Sequence, residues 1–112
     1  MNAPHDFFKI EVTRMLSNTG IKEQVQTEIC FFAKKYQLNR VILFGSRARG
    51  DHRKTSDIDL AVRGGYIARF ALDVDEETST LLKYDVVDLE QNISPELRCS
   101  IEQEGRVLYE EI

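Results

Sequence analysis

Asp57 and Asp59 stand one residue apart in the run Ser56-Asp57-Ile58-Asp59-Leu60-Ala61-Val62, where acidic and apolar side chains alternate. On a strand, successive side chains point to opposite faces, so the two aspartates share one face while Ile58 and Leu60 share the other. Their Cα atoms would lie about 6.5 to 7 Å apart, near enough for both carboxylates to converge on one metal ion or a pair of ions. Without a cation this is unfavourable, because two like charges in a half-buried cleft push at least one pKa upward. Magnesium suits such a pair, since one or two carboxylates hold it and water and substrate phosphates complete its shell. No histidine or cysteine cluster at ligand spacing points to zinc. Two bare aspartates therefore ask for a phosphate ligand.

Gly45-Ser46, eleven residues before Asp57, can supply the phosphate end. A glycine directly after an apolar strand lets the backbone turn sharply and approach a ligand closely. If Ser46 opens a short helix, its hydroxyl and free backbone N–H groups face an anion, with Arg47 and Arg49 adding charge nearby. From Arg40 to Lys54 there are five basic residues against one acid, Asp51, whereas from Asp85 to the end eight acids face two arginines. A net charge of −4 argues against a general grip on nucleic acid. The local cation density beside paired aspartates suits instead a small polyanion bound together with a metal.

The elements that must position these groups follow from patterning. Val41-Ile42-Leu43-Phe44 is a continuous apolar run closed by Gly45, as expected of a strand buried on both faces. The alternating run Asp57–Val62 is a second strand, ended by Gly64-Gly65, and Lys83–Leu89 a third. Ile21, Val25, Ile29, Phe32 and Tyr36 recur at helical spacing and form one stripe of a helix. The span from Ile67 to Leu82 is expected to be mostly helical. Ser94 is placed to cap a last helix with Pro95 at its first position, and Gly105 ends it. Val107–Tyr109 adds a short closing segment, and Asp6–Leu16 is expected to be a short amphipathic helix. The sum is a small α/β (α+β) domain, a mixed β-sheet flanked by helices. Residues 1–18 are taken as an N-terminal helical extension and 19–112 as the domain.

With 112 residues, 42% hydrophobic and 30% charged, the chain has the make-up of one globular unit. Its longest apolar runs fall far short of the roughly 18 residues of a membrane span, and no secretory leader opens it, so a cytoplasmic protein without a membrane is expected. Cys30 and Cys99 are too far apart in sequence to suggest a metal site and are expected to be buried thiols.

Gly45-Ser46, the basic loop, and Ser56-Asp57-Ile58-Asp59-Leu60 together resemble the signature of the nucleotidyltransferase superfamily related to DNA polymerase β. The brevity of the chain points to its minimal nucleotidyltransferase group, such as the antitoxins of HEPN–MNT pairs. The resemblance spans Gln24 to Tyr109, with its specific part in Phe44–Val62. It implies the polymerase β-like fold, two Mg²⁺ ions, ATP as substrate and a third carboxylate on a later strand. Asp85 and Asp88 are the candidates; separated by an odd number, they face opposite sides of the strand and cannot both serve. The family pattern, a basic position, one residue, the acid and an apolar pair, favours Asp85 in Lys83-Tyr84-Asp85-Val86-Val87. Asp57, Asp59 and Asp85 are thus the expected catalytic and metal-holding residues, and Gly45, Ser46, Arg47 and Arg49 the nucleotide-binding ones.

The implied reaction moves a nucleoside monophosphate, AMP from ATP, to an acceptor hydroxyl, with loss of pyrophosphate. A chain this short has no acceptor-shaping domain, so the resemblance implies a HEPN-type helical partner that is AMPylated on a hydroxyl side chain and thereby silenced. The alternative is a non-catalytic antitoxin or subunit that neutralises its partner by contact. Self-association is left open by the sequence.

Overall fold

The structure is a computed structural model and describes residues 11–111. Five strands form one sheet in the order β1-β5-β2-β3-β4: β1 (Glu11–Thr13), β2 (Arg40–Phe44), β3 (Ile58–Arg63), β4 (Tyr84–Asp88) and β5 (Arg106–Glu111). β2 pairs antiparallel with both β3 and β5, β1 antiparallel with β5, and β3 parallel with β4. The helices are α1 (Glu23–Lys35), the single turn α2 (Ser46–Arg49), α3 (Ile67–Glu77) and α4 (Pro95–Glu104).

The sheet is covered on both faces. On one, Val25, Ile29, Phe32 and Ala33 of α1 and Phe70 and Val74 of α3 pack on Val41, Leu43, Ile58, Leu60 and Val62. On the other, Ile101 of α4 packs with Ile42, Phe44, Ala61 and Leu89. That is why Val41–Phe44 is apolar at every position: each residue faces one of two cores. Ser94 Oγ accepts a hydrogen bond of 3.1 Å from the Leu97 N–H, with Pro95 next to it, so α4 starts where its cap chemistry dictates.

Two expectations change, and a third, the mostly helical span 67–82, is met with its end now fixed. Glu11–Thr13 is a strand on the edge of the sheet, not part of a helix; the remainder of that expected helix before Glu11 lies outside the described residues. Val12 and Thr13 are β-branched, and without a clean apolar period a helix has no face to bury, so pairing with β5 wins. Buried Gln26 ties the segment between β1 and α1 to the helix, exchanging hydrogen bonds with the Leu16 N–H and C=O and donating to Ile21 O. In the 67–82 span, α3 stops at Glu77, because the polar run Thr78-Ser79-Thr80 finds other partners: Thr78 Oγ1 turns back to Val74 O, and the Ser79 N–H donates to the Glu28 carboxylate. The second change is that Cys30 is buried but Cys99 is exposed. With Leu97 and Ile101 set four apart on the inner face of α4, position 99 turns outward. Among the described residues no helix is long and apolar enough to cross a membrane.

Candidate active site

The site forms where β2 ends and β3 and β4 begin. Gly45 follows β2 with φ 76°, a conformation that L side chains rarely adopt. A Cβ built there would lie 2.2 Å from Asp59 Oδ2, so glycine is what lets the Asp59 carboxylate rest against the backbone leading into α2. Ser46 then opens α2, and the first N–H groups of that turn have no partner within it.

Asp59 pairs in register with Phe44 on one side and with Asp85 on the other. In a parallel pair, residues in register present their side chains to the same face, so Asp59 and Asp85 stand side by side on the α4 face. Asp57 precedes the first residue of β3 and is exposed, as is Asp85; Asp59 is half-buried. Burial, then Asp85, then Asp57 push the Asp59 carboxyl up to about 6, against weaker opposing pulls from Arg49 and Arg47. Asp88 sits three residues past Asp85, on the other face, and its Oδ1 accepts a 2.9 Å bond from the Glu90 N–H, closing the turn after β4.

This donor set fits a hard divalent cation: it is all oxygen, and its most buried member is held above the ordinary carboxylate range first by burial and then by two like-charged neighbours, penalties that a bound cation would offset. Among the described residues no three acidic, histidine or cysteine side chains are gathered closely enough to hold a metal ion by themselves.

The two arginines part company. Arg47 is 1% exposed, and its guanidinium donates to four backbone carbonyls: Nε to Ser56 O, Nη1 to Thr19 O, and Nη2 to Lys54 O and Arg53 O. The expected phosphate contact is therefore corrected: Arg47 is a clamp on the 53–56 loop that leads into Asp57, and its donors are engaged inside the protein. Burial lowers its pKa, and Asp57 and Asp59 oppose that shift. Arg49 is exposed on α2, within 3.2 Å of Asp51 and 3.5 Å of Glu104.

Sequence reasoning missed one further feature. A cleft of about 770 Å³ opens beside Asp57, between the approach to α1, residues 54–55 and residues 79–83. Ile21, Val25 and Leu82 give it an apolar floor, and Lys22, Lys54 and Lys83 stand in its lining. The three lysines come from separate stretches of chain, so no local motif announces them.

The profile of the family described as "Polymerase beta, Nucleotidyltransferase" matches residues 26–111. A Methanocaldococcus jannaschii protein named "Putative protein adenylyltransferase MJ0604" is 37% identical over 106 residues, covering 85% of this chain and 100% of its own length. A second from the same organism, "Putative protein adenylyltransferase MJ1215", is 31% identical over 78 residues, covering 66% of this chain and 91% of its own. Among solved structures, one described as a "putative minimal nucleotidyltransferase" superposes with a TM-score of 0.58 at 29% identity, covering 72% of this chain and 86% of that one. A chain of a toxin–antitoxin crystallised with AMP-PNP superposes with a TM-score of 0.63 at 24% identity, covering 76% and 73%, a likeness of fold.

Proposed function

The chain belongs to the polymerase β nucleotidyltransferase family, and from that premise we propose that it transfers AMP from ATP to a hydroxyl side chain of a partner protein, as the antitoxin of a HEPN–MNT pair. The observation that carries this reading is the placement of Asp85 in register beside half-buried Asp59, with Gly45 pressed against the same carboxylate. The names of the two archaeal relatives support a protein acceptor, and the toxin–antitoxin neighbour supports the pairing.

Asp57, Asp59 and Asp85 would hold Mg²⁺, whose charge offsets that building on the α-phosphate and the leaving group. Gly45 and Ser46 bind the β- and γ-phosphates through backbone N–H groups and the Ser46 hydroxyl. Arg49 adds positive charge on the same turn, while Arg47 acts only through the loop it holds. Asp85, exposed and therefore free to meet an incoming hydroxyl, takes its proton as the oxygen attacks the α-phosphorus. The α-phosphorus–oxygen bond to the β-phosphate breaks, pyrophosphate leaves, and the nucleoside monophosphate remains on the acceptor.

The test is incubation with labelled ATP, Mg²⁺ and the product of the neighbouring gene, comparing the native chain with Asp57→Asn and Asp59→Asn. Label carried to the partner by the native chain alone supports the enzyme. Equal neutralisation of the partner by all three, with no label transferred, would establish the binder instead.

A further inference from the structure

We propose that the cleft beside Asp57 is the docking site for an acidic, hydroxyl-bearing segment of the acceptor protein. The inference rests on the transferase reading for what happens once the segment has docked, but the docking itself stands on the cleft.

Its charge is unusual for this molecule. In a chain of net charge −4, three of the residues lining the cleft are lysines, and the only carboxylate among them is Asp57. None of the three is engaged in an ion pair among the described residues. Lys22 also occupies the N-cap position of α1, without a side-chain capping bond. Serine, threonine, aspartate or asparagine is preferred there, and a cation opposes the helix dipole. Such a break of a local rule at the mouth of a cleft is where a functional demand is expected to show. Together Lys22, Lys54, Lys83 and the positive end of α1 make the cleft complementary to carboxylates.

The remaining surface selects a polypeptide over a nucleotide. The floor of Ile21, Val25 and Leu82 is apolar, and on the rim Leu81 is 104% exposed, a side chain wholly given to solvent where a partner can cover it. Gly45 and Ser46 do not line the cleft, so the phosphate cradle lies apart from it. Asp57, the one carboxylate in the lining, also belongs to the proposed catalytic set, so a segment whose carboxylates rest on the lysines is held at the edge of that set.

The probe is a fluorescein-labelled dodecapeptide with one tyrosine flanked by aspartates and glutamates, read by anisotropy without ATP. Its counterpart carries asparagine and glutamine in their place. The native chain is expected to bind the acidic peptide at least about tenfold more tightly than the neutral one. Lys22→Glu, Lys83→Glu and Leu81→Asp should each weaken it severalfold, whereas Arg63→Glu, an equal change of charge at the far end of β3, should leave it within about twofold. Leu81 is fully exposed, so its variant keeps the test valid should a lysine variant fold poorly. A fluorescent ATP analogue should bind all four variants as it binds the native chain. Equal binding of both peptides, no binding of either, or variants that weaken the ATP analogue and spare the peptide would overturn the proposal; the last outcome would make the cleft a nucleoside site. Peptide binding that persists in a chain unable to transfer label would instead sink the transferase reading alone.

Discussion

Gly45 and Asp59 are packed so closely that a Cβ on the glycine would lie 2.2 Å from the aspartate's Oδ2. The turn into α2 and the Asp59 carboxylate are therefore one structural unit, and each fixes the other. Gly45→Ala introduces both that clash and a non-glycine residue at φ 76°. The backbone conformation, φ 76° with ψ −158°, is open essentially to glycine alone and costs any other residue about 1–3 kcal/mol, and relief of the clash must displace Asp59 or the start of α2. Thermal melting should fall by about 4–8 °C for each kcal/mol lost in a domain of this size. Label transfer should fall at least a hundredfold, because a displacement of about 1 Å is enough for that. A variant that melts lower yet transfers label at the native rate would separate the two residues.

The strained state of Asp59 gives stability a pH dependence of definite sign. Its carboxyl rises from an ordinary value of 3.8 to about 6 on folding, so the folded state holds a proton that the unfolded chain releases. The stability this contributes is fully present below about pH 4 and is lost as pH rises through about 6. In EDTA, Asp59→Asn should therefore melt above the native chain at pH 7.5, and the gain should vanish at pH 4, where the native carboxyl is neutral. Added Mg²⁺ should raise the melting point of the native chain at pH 7.5 more than that of the variant. Equal gains at both pH values would show that charge at Asp59 is not the cause.

Arg47 is predicted to matter through its fork of donors. Arg47→Lys keeps the charge but cannot reach four carbonyls from three directions, leaving several of Thr19 O, Arg53 O, Lys54 O and Ser56 O without a partner. Unfolding in urea should show a loss of about 2–4 kcal/mol. The freed 53–56 loop should become a site of trypsin cleavage after Arg53 and Lys54 in the variant, while the native loop resists. Unchanged stability and an uncut loop would return Arg47 to the phosphate contact expected from the sequence.

What the sequence disclosed and what it hid divide along physical lines. Val41–Phe44, the Ser94-Pro95 cap and the opposite facing of Asp85 and Asp88 were legible because each is set by alternation or capping within a few residues, whereas the register of Asp85 against Asp59 comes from the pairing of two strands distant in sequence. β1 was not, since three residues become a strand only by pairing with β5 at the opposite end of the chain. Arg47 looked like a phosphate contact because charge is visible in a sequence and the convergence of distant carbonyls is not. The lysine cleft was hidden for the same reason, being assembled from the approach to α1, the 54–55 loop and the residues before β4.

The choice between the two carboxylates of β4 can be decided by one pair of variants. Asp85 faces the same side of the sheet as Asp59 and is its register partner; Asp88 faces away and accepts the Glu90 N–H. Asp85→Asn removes the proposed proton acceptor and part of the proposed metal-holding set while preserving shape, so label transfer should drop by about 10²–10⁴-fold. Because Asp85 also repels Asp59, the same variant should lower the Asp59 pKa, and its metal-free form should be no less stable than the native chain at pH 7.5. Asp88→Asn keeps an oxygen in place to accept the turn N–H, so its melting point and transfer rate should both stay near native. The reverse result, with Asp88→Asn inactive and Asp85→Asn active, would place the reacting group on the face of the sheet opposite Asp59 and overturn the assignment of Asp85.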